Sequence, residues 1–324
     1  MLGALAWNGH RALDLPAQDV EIHQVVEIPP ETSFKAVAGL LREKGLITSP
    51  FWFRMLGKVQ DVERKIQPGE YDLHTHMRAS EILDVLVKGK VIQYSVVVPE
   101  GLTAHQIGMV LHAAGLADAT AISRLAMDPG FAKSCGIDAP TLEGYLFPDT
   151  YNIPKRTKPE DILKTMVSRF RQVVTPELQA RAAEVKMTER EIITLASIIE
   201  KETGQGDERA LIAAVFHNRL KKHLPLQSDP TVIYDITDFD GNLTRAHLTN
   251  PTPSNTYAHR GLPPGPIANP GLKSILAALN PAPVRYLYFV SKNDGTHQFS
   301  STLEEHNRAV ARYQKRGSRH NGSR

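Results

Sequence analysis

The chain has 324 residues, of which 41% are hydrophobic, and its 38 basic and 35 acidic side chains leave a formal net charge of +3. This length exceeds that of a typical single domain, so we expect two domains. The small and evenly spread charge gives no indication of a nucleic-acid partner. A single cysteine, Cys135, excludes an intramolecular disulfide. No run of about 18 apolar residues occurs, so no segment is predicted to span a bilayer.

The first part of the chain predicts a small α+β module over residues 21–98. Residues 21–28, rich in β-branched side chains and followed by two prolines, predict a strand. A helix follows over residues 33–45, with a serine at its start and a glycine at its end. A second helix over residues 80–89 and a strand over residues 91–98 complete the module.

The second part of the chain predicts a larger α+β domain over residues 99–313. Helices dominate from Thr103, which can cap the first of them, to about Leu224. Beyond that point frequent prolines indicate loops, before a strand over residues 286–290 and a final helix from about Leu303. The basic residues of 314–324 predict a disordered tail.

Residues 187–203, MTEREIITLASIIEKET, predict the best-specified helix, with a Thr-x-x-Glu capping box at its start. At about 100° per residue its apolar side chains share one arc, and Glu200 projects within that arc while Glu202 lies on the other flank. Burial among apolar groups favours the protonated form of a carboxylate, as a proton donor requires. Glu200 is therefore a candidate general acid. Periodicity alone favours the alternative, a structural glutamate paired with Arg209 or Arg219.

Signatures of several other enzyme classes are absent from the sequence. There is no GxSxG elbow, HExxH helix, phosphate-binding P-loop or pair of CxxC motifs, so serine hydrolases, zinc proteases and P-loop enzymes lose their usual support. The 13 histidines show no recurring ligand spacing. We therefore predict no metal and no cofactor.

Six motifs occur in a fixed order along the chain. They are LEGYLFPDTY at 142–151, ASIIEKET at 196–203, LQSDPTV at 226–232, NTY at 255–257, GLPPGPIANPG at 261–271 and YLYFV at 286–290. Together they resemble the endolytic murein transglycosylase family, also called MltG- or YceG-like, over residues 25–313. The GLPPGPIANPG block is the most specific of the six. The sequence departs from the family at Ser254, where relatives commonly have tyrosine.

The resemblance implies an enzyme that cleaves the β-1,4 bond between N-acetylmuramic acid and N-acetylglucosamine in peptidoglycan and leaves 1,6-anhydromuramic acid ends. In that family the glutamate of the ASIIEKE motif is catalytic, and we place it at Glu200. The resemblance also implies that residues 21–98 are LysM-like. It implies a single-pass anchor in the bacterial inner membrane, upstream of Leu2, with residues 1–20 as a juxtamembrane stub or linker. The catalytic domain would then lie on the periplasmic side, beside peptidoglycan synthases.

Cleavage of a glycosidic bond also requires a group that stabilises the positive anomeric centre, normally a second carboxylate. Asp229 is the first candidate, followed by Glu202 or Glu143, although Asp229 equally suits a turn before Pro230. Asn218 is expected to brace a helix. The residues predicted to bind substrate are Gln227, Asp229, Asn255, Tyr257, Glu143 and His297.

Three other functions stay open on this sequence. A hydrolytic glycosidase of lysozyme type would use the same acid together with a positioned second carboxylate. A non-catalytic wall-binding protein would not need Glu200. The family has also carried an aminodeoxychorismate lyase label, which implies pyridoxal phosphate and a Schiff-base lysine, but Lys201 points away from the apolar arc and no phosphate-binding loop is evident.

Overall fold

The computed structural model describes residues 2–202 and 206–314, without the side chains of residues 2–6. It contains both helices and small antiparallel sheets, which confirms the predicted α+β class. None of the helices in these two ranges is long and apolar enough to cross a membrane. The predicted tail lies, from residue 315 onward, outside the described residues.

Two compact units make up the chain. The first comprises Met1–Val96 and Tyr151–Thr157, and the second comprises Val97–Thr150 and Lys158–Arg324. The short segment Tyr151–Thr157 thus groups with the first unit although it follows a large part of the second. The domain limits drawn from the sequence, near residues 20, 98 and 313, stay predictions.

The first unit is built around an antiparallel pair of strands and four helices. Its elements are α1 (Leu2–Asp14), β1 (His23–Ile28), α2 (Phe34–Glu43), α3 (Pro50–Val59), β2 (Gly69–His74), α4 (Ala79–Val87) and β3 (Gln93–Val97). Strands β1 and β2 pair in antiparallel register with Val26 opposite Tyr71, and both side chains are fully buried. Ser33 caps α2 by accepting a hydrogen bond from the amide of Ala36, as the sequence predicts. Strand β3 pairs with β4 (Thr150–Pro154).

The second unit is mainly helical. Its elements are α5 (Ala104–Ala113), α6 (Ala119–Ala126), α7 (Pro129–Ser134), α8 (Pro159–Val173), α9 (Pro176–Glu184), α10 (Glu189–Glu202), α11 (Arg209–Lys221), α12 (Asp229–Ile233), α13 (Arg245–Thr249), α14 (Leu272–Leu279), β5 (Tyr288–Ser291), β6 (His297–Ser300) and α15 (Leu303–Tyr313). Strands β5 and β6 pair antiparallel.

Helix α10 lies at the centre of the second unit, where it packs against α11 and α14. The predicted capping box is present, because Thr188 N donates to Glu191 Oε2 at 2.8 Å and Glu191 N donates to Thr188 Oγ1 at 3.2 Å. Every residue from 192 to 199 is buried. The helix is therefore fixed along its length, and its C-terminal residues are held in a defined position.

Candidate active site

Helix α10 ends with two glutamates, Glu200 and Glu202, whose surroundings differ. Residues two apart on a helix are separated by about 200° around its axis, so Glu200 and Glu202 project in nearly opposite directions. Their neighbours determine which of the two can act on a substrate.

Glu200 is held by two partners. Its Oε2 accepts a hydrogen bond from the amide of Gly271 at 2.9 Å, and its Oε1 lies 3.3 Å from Nη2 of Arg209. Arg209 also donates through Nε to Ser274 Oγ at 3.1 Å. The Glu200 side chain is 6% exposed. This is the arginine-paired arrangement that the sequence left open, and it ties α10 to α11 and α14.

Glu202 instead lines a cavity of about 340 Å³. Its Oε1 accepts a hydrogen bond from Ser228 Oγ. Burial raises the pKa of the Glu202 carboxyl to about 7, and the nearby charge of Asp229 acts in the same direction. A carboxyl with such a pKa is partly protonated near neutral pH, which suits a group that donates and then accepts a proton.

Asp229 and Tyr257 also line the cavity of Glu202. Asp229 is the first residue of α12 and Ser228 is its N-cap. The Tyr257 hydroxyl donates to Asp229 Oδ1 at 2.6 Å. Burial and the bond to Asp229 raise the pKa of Tyr257 above its ordinary range, so the hydroxyl stays a donor at physiological pH. Asp229 and Tyr257, two of the residues predicted to bind substrate, therefore lie in one cavity with the Glu202 carboxyl.

Aromatic side chains also line this cavity. Tyr288 stacks on His306 with ring centroids 5.1 Å apart and planes inclined by 24°. The guanidinium of Arg219 lies 5.4 Å from the Tyr288 ring centre and donates to Gln227 Oε1. Aromatic faces beside polar donors are a common surface for binding sugars. From the sequence, Tyr288 was predicted only as part of a strand, and His306 was not predicted to line a site.

Glu143, predicted to bind substrate or stabilise the anomeric centre, is 1% exposed inside the second unit. It accepts hydrogen bonds from the amide of Ala104 at 3.0 Å, from Asn269 Nδ2 at 2.8 Å and from the Tyr234 hydroxyl at 3.2 Å. Burial raises its pKa to about 7. The geometry favours a structural role for Glu143, because its oxygens are already bonded within the protein.

Asn269, which donates a hydrogen bond to Glu143, was not singled out from the sequence. Its Oδ1 accepts from the amides of Gly144 and Leu146, each at 2.9 Å, and its Nδ2 donates to Leu102 O at 3.0 Å as well as to Glu143. The amide thus connects the GLPPGPIANPG segment to the LEGYLFPD segment. This contact gives Asn269, Glu143, Gly144 and Leu146 a structural role within two of the six motifs.

Two further predicted binding residues are engaged in internal contacts. Asn255 is fully buried, donates to Leu248 O at 3.1 Å and accepts from the amide of Tyr257 at 2.8 Å, so it braces its own loop. His297 Nδ1 lies 2.6 Å from Glu208 Oε2. Neither side chain lines the cavity of Glu202. Asn218 donates to Val284 O and Tyr286 O, each at 2.9 Å, which is a bracing contact of the kind expected.

No group of three His, Cys, Asp or Glu side chains lies close enough to hold a metal ion within residues 2–202 and 206–314. Lys201, the residue weighed for a Schiff base, donates through Nζ to Gly101 O at 3.2 Å. The cavity of Glu202 is lined by carboxyl, hydroxyl, amide, guanidinium and aromatic groups.

The chain is similar to known proteins over most of its length. The YceG-like family profile matches residues 26–312. An endolytic murein transglycosylase of Bacillus subtilis is 33% identical over 335 aligned positions, which cover 97% of this chain and 91% of that protein. An endolytic murein transglycosylase of Streptococcus pneumoniae is 29% identical over 89% of this chain, which spans only 58% of that relative.

The fold is also similar to a solved structure. The crystal structure of a yceG-like protein from Listeria monocytogenes superposes with a TM-score of 0.61 at 33% identity, covering 88% of this chain and 98% of that one. The family profile alone covers far more than half of the sequence. The chain is therefore a member of the YceG-like family.

Proposed function

We propose that this protein is a lytic transglycosylase that cleaves peptidoglycan glycan strands, with Glu202 as its acid and base. The observation that carries the proposal is a carboxyl of pKa about 7 in a cavity that also holds Asp229. The Bacillus subtilis relative is an endolytic murein transglycosylase, which supports the choice of substrate.

In the first step, protonated Glu202 donates its proton to the oxygen that joins N-acetylmuramic acid to N-acetylglucosamine. The bond from that oxygen to the anomeric carbon breaks, and its electron pair stays with the leaving sugar. The anomeric centre that remains is positively charged, and Asp229, held by Tyr257 at 2.6 Å, is the carboxylate that stabilises it.

In the second step, ionised Glu202 accepts the proton of the C6 hydroxyl of the same muramic acid residue. The hydroxyl oxygen attacks the anomeric carbon and closes a 1,6-anhydro ring, so the catalytic carboxyl is protonated again and no water is consumed. An internal nucleophile held close to its target can reach an effective molarity of about 10⁵–10⁸ M, far above that of water. The enzyme would accordingly be a carbon-oxygen lyase.

Glu200 stays the rival assignment for the proton donor. Its Oε1 faces Arg209 and its Oε2 accepts the Gly271 amide, so both carboxylate oxygens are already bonded inside the protein, which favours a structural role. Within the described residues Glu202 accepts a hydrogen bond from the Ser228 hydroxyl, and it lines the cavity. We therefore place proton transfer at Glu202 and give Glu200 the task of positioning the end of α10.

The Glu202→Gln and Glu200→Gln variants distinguish these assignments. We expect Glu202→Gln to fold and to lose about 10²–10⁴ in cleavage rate, because that is what general acid catalysis contributes. Removing one partner of a buried ion pair can itself unfold a protein. The Glu200→Gln/Arg209→Gln variant, which removes both charges, is therefore measured as well. Full activity in Glu202→Gln, together with a stably folded Glu200→Gln variant that is inactive, would return the role to Glu200.

The product distinguishes a lyase from a lysozyme-type hydrolase. Fragments released from purified peptidoglycan should weigh one water less than hydrolytic fragments, and their muramic acid end should resist borohydride reduction. In oxygen-labelled water no label should enter the new terminus. Stoichiometric incorporation of the label would mean hydrolysis.

The same proposal extends to the surroundings of the enzyme. The first unit would act as a LysM-like module, and an anchor upstream of Leu2 would hold the chain in the inner membrane with its catalytic part in the periplasm, beside peptidoglycan synthases. The six ordered motifs support this extension through the family they resemble. Fractionation of the native gene product between membrane and other fractions tests the anchor.

A further inference from the structure

A second and larger cavity, of about 1310 Å³, lies in the second unit apart from the cavity of Glu202. Its walls are the segment between α9 and α10, the first turns of α10, the C-terminal part of α11 and residues 261–264. None of the residues that line it lines the cavity of Glu202. The mechanism proposed above assigns no role to it.

The charge of this cavity is mainly positive. Lys186, Arg190 and Lys221 line it, and none of the three has a carboxylate within salt-bridge distance in the described part of the chain. Its two acidic side chains are already engaged. Glu184 pairs with Arg181 outside the cavity, and Glu191 accepts the hydrogen bonds of the α10 capping box. The cations are therefore available to an anionic ligand.

Backbone contacts define where Lys186 and Arg190 lie along the cavity. Lys186 follows α9 in the left-handed region, at φ 58°, where a side chain costs about 1 kcal/mol and glycine is the usual residue. The amide of Met187 reaches back to Ala182 O at 3.0 Å and closes the end of α9. Arg190 donates to Pro264 O, which joins α10 to the proline-rich wall. A lysine is thus kept at the cavity edge in a conformation that glycine would adopt without strain.

We propose that this cavity binds the carboxylates of peptidoglycan peptide stems. The inference rests on the proposed function, because a glycan substrate with acidic peptides supplies this ligand. Arg190 lies 12 positions before Glu202 on α10, which at 1.5 Å per residue is about 18 Å. A strand of a few sugars can therefore occupy the catalytic cavity while one of its stems enters the cationic one.

The location of two lysines at helix ends suggests a different explanation. Lys186 follows α9 and Lys221 is in the last turn of α11, where cations stabilise helices by interaction with the helix dipole. Lys222 separates the two explanations. It is exposed at the C-cap of α11, next to Lys221, but does not line the cavity. A dipole effect would include Lys222, whereas stem binding would not.

The test compares two ligands on the intact protein carrying a cleavage-inactivating substitution. One ligand is uncross-linked glycan strands with peptide stems, and the other is the same strands after an amidase has removed the stems. We expect stemmed strands to bind about fivefold more tightly, and Lys186→Ala/Lys221→Ala to abolish that difference without changing affinity for bare strands. Lys222→Ala should bind like the parent, and Lys186→Arg/Lys221→Arg should keep the preference.

Raising the salt concentration should reduce the preference, because exposed charges are screened over about 10 Å at 0.1 M. Equal binding of both strands by the parent protein would overturn the stem site and leave the proposed function intact. Equal losses of affinity for stemmed strands in Lys222→Ala and in Lys186→Ala/Lys221→Ala would also overturn the stem site, because they would indicate a general charge effect. Failure of the parent to bind either strand would contradict the proposed function itself.

Discussion

Replacing Glu143 by glutamine should change how the stability of the protein depends on pH. Glu143 is 1% exposed, and burial raises its pKa from 4.5 to about 7. Because the folded chain binds this proton more tightly than the unfolded chain, the stabilisation is complete below about pH 4.5 and is lost as the pH rises through about 7. Glutamine imitates the protonated carboxyl and does not titrate.

The magnitude follows from the pKa difference. Each pKa unit corresponds to about 1.4 kcal/mol, so Glu143 alone should lower the free energy of unfolding by about 3 kcal/mol between pH 4.5 and pH 7.5. Glu202, whose pKa is also raised to about 7, should contribute a similar fall. Glu143→Gln should therefore lack about 3 kcal/mol of the fall that the wild-type protein shows over this range, and it should be the more stable protein above pH 7.

Urea unfolding at several pH values between 4.5 and 8 measures this directly. Glu304→Gln is the matched control, because the Glu304 side chain is 81% exposed and its removal should leave the slope unchanged. The reasoning would be refuted if the free energy of unfolding changed with pH by the same amount in wild type and in Glu143→Gln. It would also be refuted by a Glu143→Gln protein that is less stable than wild type at pH 8.

Three other expectations can be measured. Gly144→Ala should destabilise the protein by about 2–4 kcal/mol more than Gly241→Ala, because both residues have φ 89° but only at Gly144 would a Cβ lie 2.5 Å from Pro266; equal losses in urea unfolding would exclude a clash. Tyr257→Phe should lower the cleavage rate about tenfold with little change in melting temperature, since it removes the hydrogen-bond donor to Asp229. An unchanged rate would mean that the hydrogen bond between Tyr257 and Asp229 has no role in catalysis. The wild-type kcat/KM should fall tenfold per pH unit above about pH 7, as Glu202 loses its proton, and a profile flat to pH 9 would contradict its role as acid.

The local elements of the fold were largely predictable, because they depend on signals within a few residues. The capping box of α10 and the serine cap of α2 are examples, since Thr188 and Ser33 bond to amides three positions away. Strand β2 was missed although Tyr71 and Leu73 alternate with exposed residues. Its six residues, GEYDLH, include Gly, Glu and Asp, which have low strand propensity.

The helical period could not distinguish the two glutamates at the end of α10. The apolar arc indicates a buried face only if the opposite face meets solvent, and every residue from 192 to 199 of α10 is buried. The arc therefore did not distinguish Glu200, inside the protein, from Glu202, at the cavity. Asn255 illustrates the same limit in a loop, because the sequence does not tell whether an amide binds a ligand or the backbone beside it.

The GLPPGPIANPG segment, residues 261–271, has no regular secondary structure, yet three of its amides have partners inside the second unit. Ile267 N donates to Ser197 Oγ at 3.0 Å, Asn269 N to Leu102 O at 2.8 Å and Gly271 N to Glu200 Oε2 at 2.9 Å. Amide hydrogens that are bonded in a buried core exchange with solvent only when that core opens. These three should therefore exchange as slowly as the amides of α10, and their exchange rates would report opening of the protein beside Glu200.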